Sequence, residues 1–359
     1  MAELDIRSSF RQQAWARLRR NRGAVAGMLL IAIAVVVSIV AYWVSPDGTP
    51  MANRMIVEIG GKHPGFSIDL LALPRQQAPE KVGFLKRLLD GQEEAVTWVP
   101  LSSYQAAGDS MIVHHFIDEE TSLRESYPAG GTYIKHYKAW LGTDKFGRDI
   151  LSRLLVGTRV SLSVGFIAVL ISLTIGIFLG AIAGYFRGLT DEVVMWLVNV
   201  IWSVPTLLLV FAITLALGKG FWQVFIAVGL TMWVNVARII RGQVLSLREL
   251  TFIEATRALG FGHARTIIKH ILPNILGPVM VVAAGNFATA IVVEAGLSFL
   301  GVGVQPPQPS WGLMIKENYN FIITHNPLLA LAPGVAIMLM VLAFNLLGNG
   351  LRDAMDVRQ

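Results

Sequence analysis

The chain has no cysteine among its 359 residues. It therefore forms no disulfide bond, and metal sites with thiolate ligands are excluded. Charged residues are also scarce: they make up 15% of the chain, whereas hydrophobic residues make up 54%. Because soluble domains contain about 25% charged residues, this composition is typical of a polytopic membrane protein.

Motifs for binding nucleotides and metals are missing as well. The sequence contains no Gly-x-x-x-x-Gly-Lys-Ser/Thr loop, the motif that cradles nucleotide phosphates. Four histidines lie between residues 46 and 138: His63, His114, His115 and His136. Their spacing is not typical of a set of metal ligands. We predict no catalytic residue, no metal site and no cofactor in this chain. The net charge of +6 is explained by membrane topology, so no nucleic-acid partner is expected.

Long apolar runs dominate what is present. Six of them are long enough to span a bilayer, near 24–44, 160–186, 193–217, 221–237, 277–303 and 327–350. They predict an all-α membrane protein of six transmembrane helices. Pro205 is expected to kink the third helix. In the second helix, Gly176, Gly180 and Gly184 have the spacing that allows a neighbouring helix to approach closely.

Basic residues are unevenly distributed among the loops. Six arginines precede the first span, and the segment 238–273 carries another six basic residues: Arg238, Arg241, Arg248, Arg257, Arg265 and Lys269. The positive-inside rule places this segment and both termini in the cytoplasm. The first span is too long for a cleaved signal sequence, so a retained signal anchor is predicted.

These observations divide the chain into four parts. Residues 1–22 form a basic cytoplasmic arm, in which Phe10, Trp15 and Leu18 interleave with arginines; a short helix on the lipid surface and a disordered arm are both compatible with this pattern. The first transmembrane helix is 23–45. The proline-rich segment 46–138 is predicted to be an extracytoplasmic insert of mixed structure, and 139–359 contains the remaining spans.

Three elements are predicted within the 46–138 segment. Met55–Ile59 and Met111–Ile117 have the composition of short strands. Lys81–Leu89 has the periodicity of a short amphipathic helix. The sequence does not indicate what this segment does.

The segment 251–273, TFIEATRALGFGHARTIIKHILP, predicts two short helices around a Gly-x-Gly turn. Gly260 and Gly262 suit a helix stop and a reversal that requires positive φ, and Pro273 is expected to close the second helix. One weakly apolar face is predicted for the first helix, made of Phe252, Ala255, Thr256 and Leu259. Thr251 and Glu254 have the spacing of a capping box, which gives Glu254 a purely structural alternative role.

This segment resembles the EAA loop of ABC-transporter permeases, the cytoplasmic helix pair that docks into the ATPase subunit. Glu254, Ala255 and Gly260 match the family's pattern, Thr256 replaces its second alanine, and 271–273 matches its Ile-x-Leu-Pro ending in compressed form. The resemblance implies an ATPase-coupling role for Glu254, Ala255, Arg257, Gly260, Arg265 and Pro273. The alternative for the basic residues is an ordinary positive cytoplasmic surface.

A second informative stretch is 140–159, WLGTDKFGRDILSRLLVGTR. Asp144 is expected to accept backbone N–H groups within a tight turn, and Asp149 to lie at a helix N-terminus. The stretch closely resembles the GTDxxGRD signature of the C-type peptide and nickel permeases, in which Gly142, Thr143, Asp144, Gly147, Arg148 and Asp149 are the matching residues. A turn that pins the second span is the structural alternative, and the two interpretations are compatible.

Glu294 is the only carboxylate deep inside an apolar run. An ionisable residue within a membrane is costly and is a functional candidate. Either it forms an ion pair with an arginine such as Arg159, at the mouth of the second span, or it lines a translocation path. The residues after it, 297–312, again resemble the C-type peptide permeases.

Together the resemblances imply the type I ABC importer permease fold and a permease subunit for peptides or similar small solutes. They also imply four kinds of partner: a second permease, two ATPase subunits that bind ATP and Mg, an extracytoplasmic substrate-binding protein, and the lipid of a bacterial or archaeal inner membrane. An ion-coupled secondary transporter would need more buried ionisable groups than Glu294 alone. A membrane-anchored enzyme or binding domain would need a convergent site in the 46–138 segment.

Overall fold

The computed structural model describes residues 12–80, 82–107, 110–117, 122–128, 130–218, 220–323 and 326–355. Phe10 and the first two arginines of the predicted basic arm lie outside these ranges. The chain divides into two compact units. Unit 1 comprises Met1–Ile33, Leu162–Val304 and Ile337–Gln359, and unit 2 comprises Ala34–Ser161 and Gln305–Ala336.

The helices of the described residues follow one another as α1 (12–20), α2 (Arg22–Val44), α3 (Phe84–Asp90), α4 (Ile150–Phe186), α5 (Gly188–Trp202), α6 (Thr206–Leu217), α7 (Phe221–Arg248), α8 (Thr251–Ala258), α9 (His263–Thr266), α10 (Leu276–Phe299), α11 (Trp311–Asn318) and α12 (Leu328–Met355). The strands are β1 (Phe66–Pro74), β2 (Val96–Ala107), β3 (Ser110–Phe116), β4 (Ser122–Pro128) and β5 (Tyr133–Ala139).

Several helices have the length and apolarity of membrane spans. Within the described ranges these are α2, α4, α7, α10 and α12, and the pair α5 and α6 becomes a sixth candidate if its bent halves form one span. The two halves are bent by 91°, and Pro205 is the N-cap of α6. The predicted kink at Pro205 is therefore confirmed, and the helix breaks there. Helix α7 continues to Arg248, so the first part of the 238–273 segment is helical.

Glycines allow α4 and α7 to pack closely in unit 1. A Cβ atom built on Gly176 would lie 2.4 Å from Cβ of Val236, and one on Gly180 would lie 2.5 Å from the backbone oxygen of Ala237. No side chain fits in either place. The close approach that the four-residue spacing of these glycines predicts is confirmed.

Unit 2 contains the described β-structure, a five-stranded antiparallel sheet in the order β4-β3-β2-β1-β5. Neighbouring residues of β1 point to opposite faces. Leu70 belongs to a cluster with Ile59, and Leu71 to a second cluster with Leu101 and Val113. Both faces of the sheet are therefore covered near its centre.

The 46–138 segment has mixed structure, so the all-α description applies only to the remainder of the described chain. The strand predicted at Met111–Ile117 corresponds to β3, and the helix predicted at Lys81–Leu89 corresponds to α3, although Lys81 itself lies outside the described residues. The strand predicted at Met55–Ile59 is wrong, because its last three residues form a 3-10 turn. Ile56 and Ile59 are buried beneath the sheet, whereas Met55 and Val57 are exposed, and this three-residue spacing fits a turn rather than a strand.

The glycine contact gives a stability prediction. Gly180→Ala should lower the free energy of unfolding by about 1–3 kcal/mol, because its Cβ meets a backbone oxygen that cannot rotate away. The measurement is thermal unfolding of the purified chain in detergent. The matched control is Gly285→Ala, on α10, where a Cβ would meet no atom within 4 Å. Equal melting temperatures for the two variants would contradict the close packing.

Candidate functional site

The first candidate site is the segment 251–273, which is anchored to the core of unit 1 by few side chains. Ile253 in α8 and Ile271 beyond α9 are fully buried in one cluster with Tyr185 of α4 and Ile240 of α7. Thr256 is also buried and donates to the carbonyl of Ile253 at 2.7 Å. One side of α8 is therefore fixed to the protein.

The apolar face predicted for α8 lies mostly on the exposed part of the helix. Of its four residues only Thr256 is buried; Phe252, Ala255 and Leu259 are exposed, and Leu259 is 72% exposed. The helix turns Ile253 inward, since that side chain meets the cluster between α4 and α7. An apolar surface made of Phe252, Ala255 and Leu259 is left uncovered next to this buried side.

Gly260 ends α8 in the left-handed conformation, with φ of +77°. The N–H of Phe261 donates to the carbonyl of Thr256 at 3.0 Å, and the N–H of Gly260 donates to that of Arg257 at 2.9 Å. This pair of bonds is the Schellman motif, so the prediction of a positive-φ glycine is confirmed at position 260. It is wrong for Gly262, which is the N-cap of α9 with φ of −65°.

The predicted capping box is absent from the structure of α8. Its N-cap residue is Leu250, which makes no side-chain cap bond, and Thr251 is already helical. Glu254 lies exposed in the first turn, where a carboxylate favours the helix dipole. After α9 the chain continues as a π-helix, Ile267–Ile271, and a 3-10 turn that contains Pro273.

Aromatic rings hold the basic residues of this segment. The hydroxyl of Tyr185 lies 3.1 Å from Nδ1 of His263. The guanidinium of Arg257 lies 5.2 Å from the centre of the Tyr185 ring, and that of Arg265 lies 4.2 Å from the ring of Phe261. Such cation–π contacts at exposed positions are worth about 0.5–1 kcal/mol. They position the two arginines without burying their charges.

The second candidate site is the turn 142–149 of unit 2. Asp144 is buried, and its Oδ1 accepts the N–H groups of Phe146 at 2.9 Å and Arg148 at 3.0 Å. Its Oδ2 accepts Nε of Arg148 at 2.6 Å. The turn that the sequence predicts for Asp144 is confirmed, with a buried arginine as an additional partner. Gly147 has φ of +72°, and a Cβ there would lie 1.7 Å from the oxygen of Ile56.

Arg148 extends this turn into a buried ionic network. Its Nη2 donates to Oε2 of Glu317 in α11 at 2.9 Å, and Nη2 of Arg153 donates to the same oxygen at 3.2 Å. Both arginines are almost completely inaccessible to solvent. Trp311, also in α11, donates from Nε1 to the carbonyl of Leu154 at 3.1 Å. This bond joins Trp311 and Leu154, which belong to the two stretches that resemble C-type permeases, 297–312 and 140–159.

Asp149 performs the capping role that its position predicts. Its Oδ1 accepts the N–H and the hydroxyl of Ser152 at 2.7 and 2.6 Å. Its Oδ2 accepts the hydroxyl of Tyr137, in β5, at 2.7 Å. Burial, together with the nearby carboxylate of Asp149, raises the pKa of Tyr137 far above its ordinary value. Tyr137 therefore remains a neutral donor at every physiological pH.

Glu317, Arg153 and Tyr137 are the members of the site that sequence reasoning missed. Glu317 lies 169 residues from Arg148, and no local pattern identifies such a partner. Arg153 carries a signal, because it lies one helical turn after Asp149 in an apolar helix. Within the described residues, no group of three or more His, Cys, Asp or Glu side chains is placed to hold a metal ion.

Glu294 is completely buried in α10. Its Oε1 accepts the hydroxyl of Ser298 at 2.6 Å, and the Oγ of Ser298 accepts the N–H of Val304 at 3.0 Å. Arg159 belongs to the other unit, where it donates to four main-chain carbonyls, those of Ser38, Ile39, Leu88 and Leu89. The ion pair between Glu294 and Arg159 stays a prediction, as does the path-lining alternative.

Comparison with known proteins identifies the class. The family described as "Binding-protein-dependent transport system inner membrane component" matches residues 176–359, and "N-terminal TM domain of oligopeptide transport permease C" matches residues 9–55. The chain belongs to this family of transport permeases. It is an inner-membrane multi-pass protein and a transport component rather than an enzyme.

Curated relatives define the type more closely. The chain is 42% identical over 217 residues to the glutathione transport system permease protein GsiD of Pectobacterium atrosepticum, covering 60% of this chain and 72% of the relative. It is 42% identical over 236 residues to the dipeptide permease DppC of Alkalihalophilus pseudofirmus, covering 66% and 77%. It is 41% identical over 217 residues to the oligopeptide permease OppC of Bacillus subtilis, covering 60% and 71%. The protein is an oligopeptide/dipeptide-type ABC importer permease.

Among solved structures, an inward-facing form of the MetNI methionine ABC transporter is similar at a TM-score of 0.47 and 20% identity, covering 56% of this chain and 96% of the matched chain.

The ionic network gives a prediction about stability. Asp144→Asn should destabilise the chain by about 3–5 kcal/mol, because it leaves a buried arginine short of a counter-charge. Lys145→Ala, at the exposed neighbouring position, is the matched control and should melt like the parent. Thermal unfolding in detergent measures both. An unchanged melting temperature for Asp144→Asn would show that the network does not hold the turn.

The environment of Glu294 gives a second prediction. Glu294→Gln and Ser298→Ala should each lower the free energy of unfolding by about 1–3 kcal/mol, as expected when a buried polar group loses a hydrogen-bond partner. Their effects should add only in part, because both variants act on the Glu294–Ser298 bond, while Ser298→Ala also removes the acceptor of the Val304 N–H. Melting of the two variants and of the double variant measures the coupling. A large loss of substrate affinity at unchanged melting temperature would support the path-lining role instead.

Proposed function

We propose that the segment 251–273 is the surface through which this permease docks onto the ATPase subunits of its importer. The observation that carries the proposal is the exposed apolar side of α8, formed by Phe252, Ala255 and Leu259. The adjacent side of the same helix is held in the core by Ile253 and Thr256. An apolar surface that the chain's own core leaves exposed needs a partner to cover it.

The charges around this surface suit a protein partner. Arg257 and Arg265 are exposed beside it, and Glu254 lies in the first turn of α8. An apolar centre with a charged rim is the usual anatomy of a protein–protein interface. Glu254, Ala255 and Gly260 therefore keep the coupling role that the resemblance to the EAA loop implies.

The buried residues of the segment suggest how a movement of α8 reaches the membrane-spanning helices. Ile253 and Ile271 pack against α4 and α7 in one buried cluster, so a displacement of α8 acts on both helices. Closure of two ATP-bound ATPases would pull the docked segment and change the packing of these helices. ATP can drive this change only if the ATPases contact the permease differently in their two states. In the proposal, the exposed side of α8 makes these contacts.

The proposed assembly contains this chain, a second permease, two ATPase subunits that bind ATP and Mg, and an extracytoplasmic substrate-binding protein. In the proposed topology six helices span the membrane, with α5 and α6 together forming the third. Both termini and the 251–273 segment are cytoplasmic, and the 46–138 segment is extracytoplasmic. Peptides or peptide-like small solutes are the proposed substrates, since the named relatives transport glutathione, dipeptides and oligopeptides.

The test is co-purification from native membranes. The tagged chain is extracted in mild detergent, and the associated proteins are identified by mass spectrometry. The expected result is two chains with nucleotide-binding motifs and a second multi-span permease. Recovery of the chain alone, or only with copies of itself, would contradict the proposed assembly.

A glycine variant tests the docking segment within that assembly. Gly260→Val should release the ATPase chains or uncouple ATP hydrolysis from transport, because left-handed backbone costs an L-residue about 1–2 kcal/mol and a β-branched residue more. Gly262→Val is the matched control: its φ is −65°, and a Cβ at either glycine would meet no atom within 4 Å. Coupled transport that is equally normal in both variants would show that the turn is not part of the coupling surface.

A further inference from the structure

Helix α3 of unit 2 carries an apolar side that the protein leaves uncovered. Phe84, Leu85 and Leu89 are 62%, 69% and 58% exposed. At 100° per residue these side chains and Leu88 lie on one side of the helix, while Lys86, Arg87 and Asp90 lie on the other. A helix of this pattern places its apolar side in a medium other than water.

The apolar side of α3 continues an exposed surface of α2. The ring of Phe84 meets the ring of Trp43 edge to face, with the ring centres 5.2 Å apart. Trp43 is exposed and lies one residue before the end of α2. Along α2, Val36 and Ile39 are exposed as well. Because α2 is a candidate membrane span, Trp43 lies where tryptophan is enriched, at the boundary between lipid and water.

Arg159 fixes α3 to α2. Its Nη2 donates to the carbonyls of Leu88 in α3 and Ile39 in α2, at 3.1 and 3.2 Å, and its Nε donates to that of Ser38 at 2.9 Å. A further bond from Nη1 reaches the carbonyl of Leu89. The carbonyls in the last turn of a helix have no intrahelical donor, so Arg159 satisfies two of them in α3. The short helix is thereby held in place beside α2.

The charged side of α3 is open to solvent. A cleft of about 770 Å³ lies beside the helix, and its lining includes Arg87, Glu93 and Lys135 together with Phe84 and Trp43, which lie where the charged and apolar sides meet. Arg87 and Lys135 are exposed. The helix therefore has a wet polar side and an uncovered apolar side, the arrangement of a helix that lies in a membrane surface.

We propose that α3 is an interfacial membrane helix, which inserts Phe84, Leu85 and Leu89 into the leaflet on the side of the 46–138 segment. The lipid bilayer is the occupant that the continuity with α2 and Trp43 favours over a protein partner. This helix anchors the 46–138 segment to the membrane surface. The inference depends on α2 crossing the membrane, and it does not depend on which subunits assemble with the chain.

The absence of cysteine permits a direct test. Single variants Leu85→Cys and Leu89→Cys are introduced into the full chain, labelled with a nitroxide and reconstituted into phospholipid nanodiscs with its co-purifying subunits. Lys86→Cys and Asp90→Cys, on the polar side of the same helix, are the matched controls. Power-saturation electron paramagnetic resonance then measures the accessibility of each label to lipid-soluble oxygen and to a water-soluble nickel chelate.

The proposal predicts a severalfold higher ratio of oxygen to nickel accessibility at positions 85 and 89 than at positions 86 and 90. Equal ratios on both sides would overturn it, since the helix would then lie in water. Labels at 85 and 89 that are shielded from both reagents would also overturn it, because a protein partner would then cover this side. Loss of ATPase subunits from the preparation affects neither comparison, so failure here is distinct from failure of the proposed assembly.

A second variant tests the role of Arg159. Arg159→Lys keeps the charge, but an ammonium group with three donors cannot reproduce the four bonds of the guanidinium. In this background the label at position 89 should become more mobile and more accessible to the nickel chelate. Unchanged mobility and depth would show that Arg159 does not hold α3 in the membrane surface.

Discussion

Two buried arginines determine much of unit 2. Removing a guanidinium from water costs several kcal/mol even after the protein relaxes, so Arg148 and Arg153 are tolerated only beside well-placed carboxylates. Asp144 and Glu317 provide them at 2.6–3.2 Å. Since these residues come from the turn 142–149, α4 and α11, their pairing fixes three elements to one another. Arg159, less than two helical turns further along α4, is positioned by the same constraint.

The segment 251–273 is held by a different kind of interaction. Its anchors are the buried side chains of Ile253 and Ile271, supplemented by the cation–π contact of Arg257 with the ring of Tyr185 in α4. Apolar contacts are not directional, so a short helix can shift on such an anchor without leaving a charge unpaired. The ionic network of unit 2 has no such freedom. A rigid turn and a more compliant segment 251–273 suit the proposed coupling, in which one part moves while another keeps its shape.

Sequence alone predicts the features that depend on local chemistry. The left-handed Gly260, the break at Pro205 and the close approach at Gly180 each follow from one residue type in one place. Periodicity predicts which residues of α8 form an apolar face, but it does not tell which of them the chain's own core covers. Its capping box also fails, since Leu250 rather than Thr251 precedes the helix. Glu317 was missed because its pairing with Arg148 is set by tertiary structure.

Exposed apolar side chains at helical spacing occur on both α8 and α3, and their surroundings distinguish the partners. Around α8 the rim carries charged side chains such as Glu254, Arg257 and Arg265. A protein with complementary charges covers such a patch best. The apolar side of α3 instead runs into Trp43 and the exposed stripe of α2. An apolar surface that is continuous with a membrane span contacts the same solvent as that span, because water and hydrocarbon cannot both contact one unbroken apolar surface. The same helical pattern therefore indicates protein docking on α8 and lipid contact on α3.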